Sequence, residues 1–280
     1  PGRYRYRPVW RGEPLQPGQT LLLSTEQGLG DALQFCRLAP HIAQPGVRLV
    51  LEAQPALLPL LATLRGVDAL ASTDHPLPEF DLRCPLLSLP GLLQLRPDSL
   101  GAAGPYLAAD PARVDAWRER LGPPRGLRVG LVWRSGVGLN KHDDRSGSLA
   151  QWLSLLPPAS AGFEYFSLQK EPRAEDLALL QSRADVRACG PELRDFADTA
   201  AACALMDVVI SVDTSVAHVA GAIGRPLMLL LPHPPEWRWQ LARPDSPWYP
   251  SARLFRQPAT GDWATPLQAV AAALQALRTG

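Results

Sequence analysis

DVVISVDTSVAHVAGAIGRPLMLLLP, Asp207 to Pro232, reads as strand, polar corner, helix and strand. Val208, Val209, Ile210 and Val212 form a continuous β-branched run, the pattern of a parallel strand buried on both faces. The run stops at Asp213, and Thr214 and Ser215 are residues that cap a helix start, so the spacing predicts a helix over 216–223. Gly224 is placed to end that helix in a left-handed conformation, and Pro226 precedes a second strand over 227–231. This is half of a doubly wound α/β unit. In such folds the helix start and its hydroxyls face the carboxyl edge of the sheet, where ligands bind, which makes the corner a candidate phosphate cradle. Asp, Thr and Ser are also what any helix start prefers, and His218 on the next turn also reads as an ordinary hydrogen-bonded histidine.

The same grammar extends in both directions. Residues 20–24 (TLLLS) predict the first buried strand, followed by the glycine corner Glu26-Gln27-Gly28-Leu29-Gly30-Asp31 and a helix over 32–42. Leu33 stands where a dinucleotide fingerprint needs its third glycine and no P-loop lysine follows, so neither a nicotinamide nor an ATP site is supported. Gly28 and Gly30 permit a tight turn or close approach to a ligand; Asp31 reads either as a functional carboxylate or as a plain first-turn acid. A strand over 47–52 and a helix over 55–64 complete a βαβ unit, with further strand-like pieces in VDAL and FDLRCPLLSLP. After a helix over 108–120, the segment LGPPRG (121–126) reads as a hinge and LRVGLVW (127–133) opens a second sheet. A polar loop, 134–148, follows on the carboxyl edge, and the next strand, 163–168, delivers Gln169 and Lys170 to that edge. Residues 172–183 and 195–206 read as helices flanking a short strand at 186–189, and residues 267–277 as a last helix. Between 233 and 257, Trp237, Trp239, Trp248, Tyr249 and Phe255 lie among arginines in an irregular, proline-rich loop. Such rings can stack on a base or a sugar, but more commonly they pack the loop down.

Composition narrows the classes. At 280 residues the chain exceeds a single domain of usual size, and its net charge of +1 provides no basic field for a nucleic acid. Lys141 and Lys170 are its two lysines, so positive charge is carried by arginine. Cys36, Cys84, Cys189 and Cys203 are scattered without a C-x-x-C pair, which points to buried thiols rather than zinc or disulfides. No apolar run approaches a membrane span and PGRYRYRPVW has no signal-peptide core, so a cytoplasmic protein is expected. The first residue is Pro rather than Met, and the chain is expected to be part of something longer.

With these residues in view, D-T-S-V-A-H-V-A-G-A-I-G-R-P resembles the donor-site segment of the heptosyltransferase-like glycosyltransferases, family nine, and the corner ending in Asp31 resembles their acceptor half. More narrowly, EQGLGDALQFCRLAP, GLVWRSG, SLQK, DFADTAA, WRW and DSPWYPS resemble bacterial proteins that carry this catalytic region behind tetratricopeptide repeats. The resemblance implies a GT-B fold, two Rossmann-like domains facing across a cleft. We place them at 1–124 (acceptor side) and 125–264 (donor side), with a helix over 265–280 crossing back toward the first. One departure stands out: relatives show His-x-Asn-Asp-Arg-x-Arg-Ser after the tryptophan strand, whereas this chain has KHDDRSGS, with Gly147 in place of the second arginine.

The implied function is transfer of a sugar from a nucleotide-diphosphate donor such as ADP-heptose to a hydroxyl of a saccharide or protein acceptor, with inversion. Asp31 would be the general base, and Gly28, Gly30, Ser135, Lys141, Arg145, Gln169, Lys170, Asp213, Thr214, Ser215 and His218 the donor site. Arg145, Lys170 or His218 would neutralise the departing charge. No Asp-x-Asp motif occurs and Asp143-Asp144 makes a poor metal cage, so neither a metal nor another cofactor is expected. The competing readings are a non-catalytic nucleotide-sugar or protein-binding module and a GT-B-like sugar-nucleotide epimerase.

Overall fold

The computed structural model describes residues 3–4, 7–96, 104–135 and 147–279. The Val-rich run becomes β8 (Val208–Val212), a central strand of a six-stranded sheet made with β5 (Leu127–Val132), β6 (Phe163–Ser167), β7 (Val186–Ala188), β9 (Leu227–Leu231) and β10 (Ala252–Arg256). The order is β10-β9-β8-β5-β6-β7 and every pairing between these strands is parallel. Burial on both faces is what the continuous apolar pattern demanded. Val208, Ile210 and Val212 enter one core while Val209 enters another, and Leu227, Leu229 and Leu231 alternate with Met228 and Leu230 in the same way. Each such side chain contributes about 1.5–3 kcal/mol by leaving water, which makes this sheet the rigid platform of the molecule.

A smaller parallel sheet, ordered β3-β2-β1-β4, is made from β1 (Thr20–Ser24), β2 (Arg48–Ala53), β3 (Ala69–Ser72) and β4 (Leu82–Pro85). Both sheets therefore reverse direction beside their first strand, between β1 and β4 and between β5 and β8. Ligands of open α/β sheets bind outside the carboxyl ends at such switch points. The two reversals face one another because α1 (Leu29–Phe35), which follows β1, packs against α8 (Ser215–Ala222), which follows β8. A single core runs through that seam, from Leu21, Leu23 and Leu33 to Ala217, Val219 and Leu229.

Several expectations are revised. The first helix stops at Phe35 and continues to Ile42 as a 3-10 turn containing Pro40, which has no N–H for an α-helical bond. The proline-rich loop after Leu231 contains β10, where Arg253 and Arg256 interrupt the apolar run that would have marked a strand. The expected hinge is the glycine end of α4 (Pro111–Leu121), where Gly122 has φ +72. That helix lies before the expected boundary at residue 124, yet it packs on α7 (Phe196–Ala204), with Arg113 Nη1 2.7 Å from Asp195 and 2.9 Å from Asp198. Tyr106 and Leu107 also donate backbone N–H to Ala222 O at 3.0 and 3.2 Å, so residues 104–121 are bonded to the second half. The last helix, α9 (Ala264–Thr279), does not cross back. Leu267, Val270 and Leu274 bury in the core on the outer face of the six-stranded sheet, beside α5 (Leu149–Leu155), which uses up its apolar stripe there.

Candidate functional site

At the β5–β8 switch point a cavity of about 270 Å³ opens toward the first half. Its walls are apolar at Leu168, Leu193, Phe196 and Val216, with Lys170, Thr214 and Ser215 as polar corners and Leu29 and Ala56 reaching in from the smaller sheet. Thr214 occupies the cap position of α8 with extended backbone, yet its hydroxyl makes no cap bond and lies 3.2 Å from Ser211 Oγ. The helix start is thereby left without a side-chain cap, the arrangement that lets backbone N–H groups and the dipole take an anion. A larger hollow of about 360 Å³ lies beside Gly122, Arg125 and Asp185. It opens at the amino edge of the sheet, where doubly wound folds do not bind ligands, and topology outweighs volume in choosing between the two.

Across the seam, Asp31 occupies the third position of α1 and accepts the Gly28 N–H at 2.8 Å, the half of a capping box that a glycine at the cap position permits. Gln27, just before it, has φ +66, a left-handed conformation uncommon for a residue with a side chain. Gly30 is explained by packing. A Cβ there would stand 2.8 Å from His218 Cδ2, so only glycine allows α1 to approach α8 this closely. Gly30→Ala is expected to cost about 1–3 kcal/mol by forcing the helices apart, read as a lower urea midpoint with an unchanged slope. An undiminished midpoint would return Gly30 to a purely ligand-facing role.

His218 is 3 % exposed and belongs to a buried network. Its Nδ1 lies 2.8 Å from Tyr249 Oη and its Nε2 3.9 Å from Asp213 Oδ1, while its ring stacks on Trp239. Tyr106 donates its O–H to Leu33 O at 2.8 Å, so the Tyr249 proton has His218 Nδ1 as its nearest acceptor and the neutral ring carries its own proton on Nε2. Burial lowers the His218 pKa to about 4, only partly opposed by the Asp213 carboxylate. Without a ligand the neutral imidazole is favoured at neutral pH, so the cationic role expected of His218 requires the bound anion itself to raise that value. The unfolded chain takes up this proton near the ordinary value of about 6.5 and the folded chain only near 4, so stability falls as pH drops through that interval. Relative to His218→Gln, the wild-type chain should lose up to about 3 kcal/mol between pH 6.5 and 4 in urea titrations. Parallel pH profiles would contradict it.

The cation at this seam is one that sequence reading assigned no role. Arg238 pairs with Asp31, each side chain being 12 % exposed, and its Nη1 lies 3.7 Å from Glu236 Oε1. The guanidinium sits 5.6 Å from the Phe35 ring and 5.4 Å from the Trp237 ring. Burial raises the Glu236 pKa, Arg238 opposes this, and the charges of Asp213 and Asp31 add to it. The WRW resemblance was the available signal for Arg238, but nothing local distinguishes it from an arginine that packs a loop.

The remaining expected residues divide. Asp213 is 7 % exposed at the end of β8, and Gln169, equally buried, lines the cavity but uses its Oε1 to accept the Arg134 N–H at 3.2 Å. Lys170 stands at the rim with its ammonium 3.3 Å from Arg194 O. Ser135 is half-buried just beyond β5. Lys141 and Arg145, like Asp143 and Asp144, lie outside the described residues.

No protein-family model matches the chain. Protein FlbA of Caulobacter vibrioides is 31 % identical over 297 residues, covering 95 % of this chain and 48 % of that protein, so the chain spans about half the length of this relative. Among solved structures it is similar to the glycosyl transferase family 9 protein of Veillonella parvula (TM-score 0.65, 11 % identity, 95 % of this chain and 99 % of that one). It is also similar to Escherichia coli ADP-heptose lipopolysaccharide heptosyltransferase II (TM-score 0.60, 15 % identity, 93 % and 98 %). The fold is the GT-B fold of the heptosyltransferase-like family nine glycosyltransferases. The E. coli heptosyltransferase WaaC with ADP is a third such likeness (TM-score 0.56, 14 % identity, 92 % and 98 %).

On this heptosyltransferase-like fold the Gly147 departure has a packing cause. The Gly147 N–H donates to Trp133 O at 2.9 Å, and a Cβ at this position would stand 2.4 Å from Trp152 Nε1. Trp152 is fully buried, so the segment leaving the undescribed stretch is pressed against a tryptophan that leaves no room for an arginine.

Proposed function

We propose that the chain transfers a sugar from a nucleotide-diphosphate donor to a hydroxyl acceptor. The observation that carries this reading is the meeting of two switch points: an uncapped helix start in a cavity on one side of the seam, and a carboxylate at a helix start on the other. The E. coli protein of the same fold, named as holding ADP, supports a nucleotide diphosphate as the leaving group. In this reading the diphosphate rests on the α8 start at Thr214 and Ser215, the base lies against Phe196 and Leu193, and Lys170 supplies charge at the rim. Asp31 accepts the proton of the acceptor hydroxyl as its oxygen attacks the anomeric carbon. The bond from that carbon to the diphosphate oxygen breaks on the opposite face, with inversion, and side-chain cations take the place of a divalent metal. Donor and acceptor are expected to be an ADP-heptose-like sugar and a saccharide or protein hydroxyl, in a cytoplasmic protein of which this chain is the catalytic part behind tetratricopeptide repeats.

Calorimetric titration with ADP and UDP, followed by product analysis with their sugars, tests this. Binding with glycosylated acceptor supports transfer; nucleotide release without a glycosylated product marks an epimerase or hydrolase. Binding without turnover marks a non-catalytic module, the second reading, which the missing arginine at Gly147 favours.

A further inference from the structure

The donor-side cavity lies between the starts of two helices. Thr214, Ser215 and Val216 come from α8, and Asp195, Phe196 and Thr199 from the start of α7, which packs beside it. That start is held from behind. Asp195 caps it, its Oδ1 accepting the N–H of Ala197 at 2.9 Å and of Asp198 at 3.0 Å, and the same oxygen accepts Arg113 Nη1 at 2.7 Å. Arg113 Nη1 also donates to Asp198 Oδ1 at 2.9 Å. Asp198 is 2 % exposed, and a carboxylate so deeply buried needs charged partners. Its other partner, Arg194, donates at 2.8 Å from a side chain 72 % exposed, while Arg194 O accepts the Lys170 ammonium at 3.3 Å. Burial would raise the Asp198 pKa, but the hydrogen bonds of Arg194 and Arg113 carry it below the ordinary value. Arg113 itself does not line the donor cavity; it stands on α4 in a separate hollow of about 170 Å³ beside Trp117.

We propose that Arg113 is a positioning residue for the donor: without touching it, the guanidinium sets where the first turn of α7, and with it the Phe196 wall, stands against the start of α8. This rests on the donor reading above and adds a residue to it. The mechanics follow from what the segment carrying Arg113 is tied to. Just before α4, Tyr106 and Leu107 donate their N–H groups to Ala222 O at the end of α8. The segment is therefore fixed to one cavity helix through its main chain and to the other through Asp195 and Asp198. The neighbouring pair of Arg120 with Glu192, at 3.2 Å with both side chains largely exposed, is a surface pair of the kind that contributes little. With Arg113 removed, Asp198 keeps only the solvated Arg194 and α7 loses its tether to that segment. A wall displaced by as little as about 1 Å weakens binding even where the fold persists.

Hydrogen exchange and ADP calorimetry on the same variants form the test. Arg113→Met keeps the apolar stem and loses the charge. In it the amides of Ala197, Asp198 and Thr199 are expected to exchange about tenfold faster while those of α8 keep their rate, and ADP should bind about tenfold more weakly. Arg113→Lys keeps the charge and should return the affinity to within about threefold of wild type. Leu267→Ala is the control. Leu267 is buried in α9 on the outer face of the six-stranded sheet, so its truncation lowers Tm by leaving a cavity there and should leave the ADP dissociation constant within about twofold. Should Arg113→Met not fold, the same readings are made on Arg113→Gln, which keeps a hydrogen-bond donor but no charge. ADP affinity unchanged in the folded neutral variant, no recovery in Arg113→Lys, or an equal loss in Leu267→Ala would overturn the proposal, the last by reducing the effect to general destabilisation. If wild-type protein binds no ADP, the donor reading falls, and exchange alone decides the brace: faster exchange confined to the first turn of α7 upholds it, and an unchanged rate removes it.

Discussion

Asp31→Asn is expected to reduce turnover by ~10²–10⁴-fold, the usual cost of removing a general base, while the dissociation constant for ADP stays within about twofold. The donor cavity is lined by Leu29 but not by Asp31, whose carboxyl faces Gly28 and Arg238 instead. Asn can still accept the Gly28 N–H, so the start of α1 is kept. The ion pair is not. Arg238 is left with Glu236 at 3.7 Å as its remaining carboxylate, and losing the near-buried partner should cost about 1–2 kcal/mol, a drop of a few degrees in Tm. The pairing across the seam is the reason for expecting a stability change here. Turnover of the purified variant beside an ADP titration decides the matter. Activity within about threefold of wild type would make Asp31 a capping and pairing residue and leave the base unidentified.

The second large effect is on the donor side. Ser215 is the first residue of α8 and lines the cavity, so Ser215→Asp places a carboxylate where the diphosphate is proposed to lie. Two unit charges about 4 Å apart repel by about 4 kcal/mol at an effective dielectric near 20, and partial solvation and side-chain rotation reduce this to a loss of ADP affinity of roughly 30- to 300-fold. Folding should be unharmed or slightly improved, because an acid in the first turn of a helix suits its dipole. Calorimetry on the folded variant gives the answer; an ADP affinity equal to that of wild type would move the diphosphate away from α8.

The two switch points were legible because each is a local event. A buried strand needs a run such as Val208 to Val212, a helix start needs Thr214 or a carboxylate such as Asp31 reaching back to the Gly28 N–H, and both are written within a few residues of themselves. Gly224 at φ +74 and the strand β9 followed from the same short-range chemistry. What sequence reading left open depends on partners far along the chain. Gly30 looked like a ligand glycine until His218, 188 positions away, was found against it. His218 looked like a candidate cation, and its burial beside Tyr249 and Trp239 is what lowers its pKa. Arg238 acquires its meaning from Asp31, and Gly147 from Trp152.

By itself the sequence determined the fold class, the positions of the parallel strands that build both sheets save β10, and the two corners at which function concentrates, because apolar period, caps and turn glycines act through neighbouring residues. The tertiary structure alone decided which face α9 covers, which half α4 belongs to, and the charge state and partners of the groups at the seam. Those are set by desolvation and by Coulomb interactions between residues brought together only when α1 meets α8, and a quantity that depends on distance through space has no signature in the order of the chain.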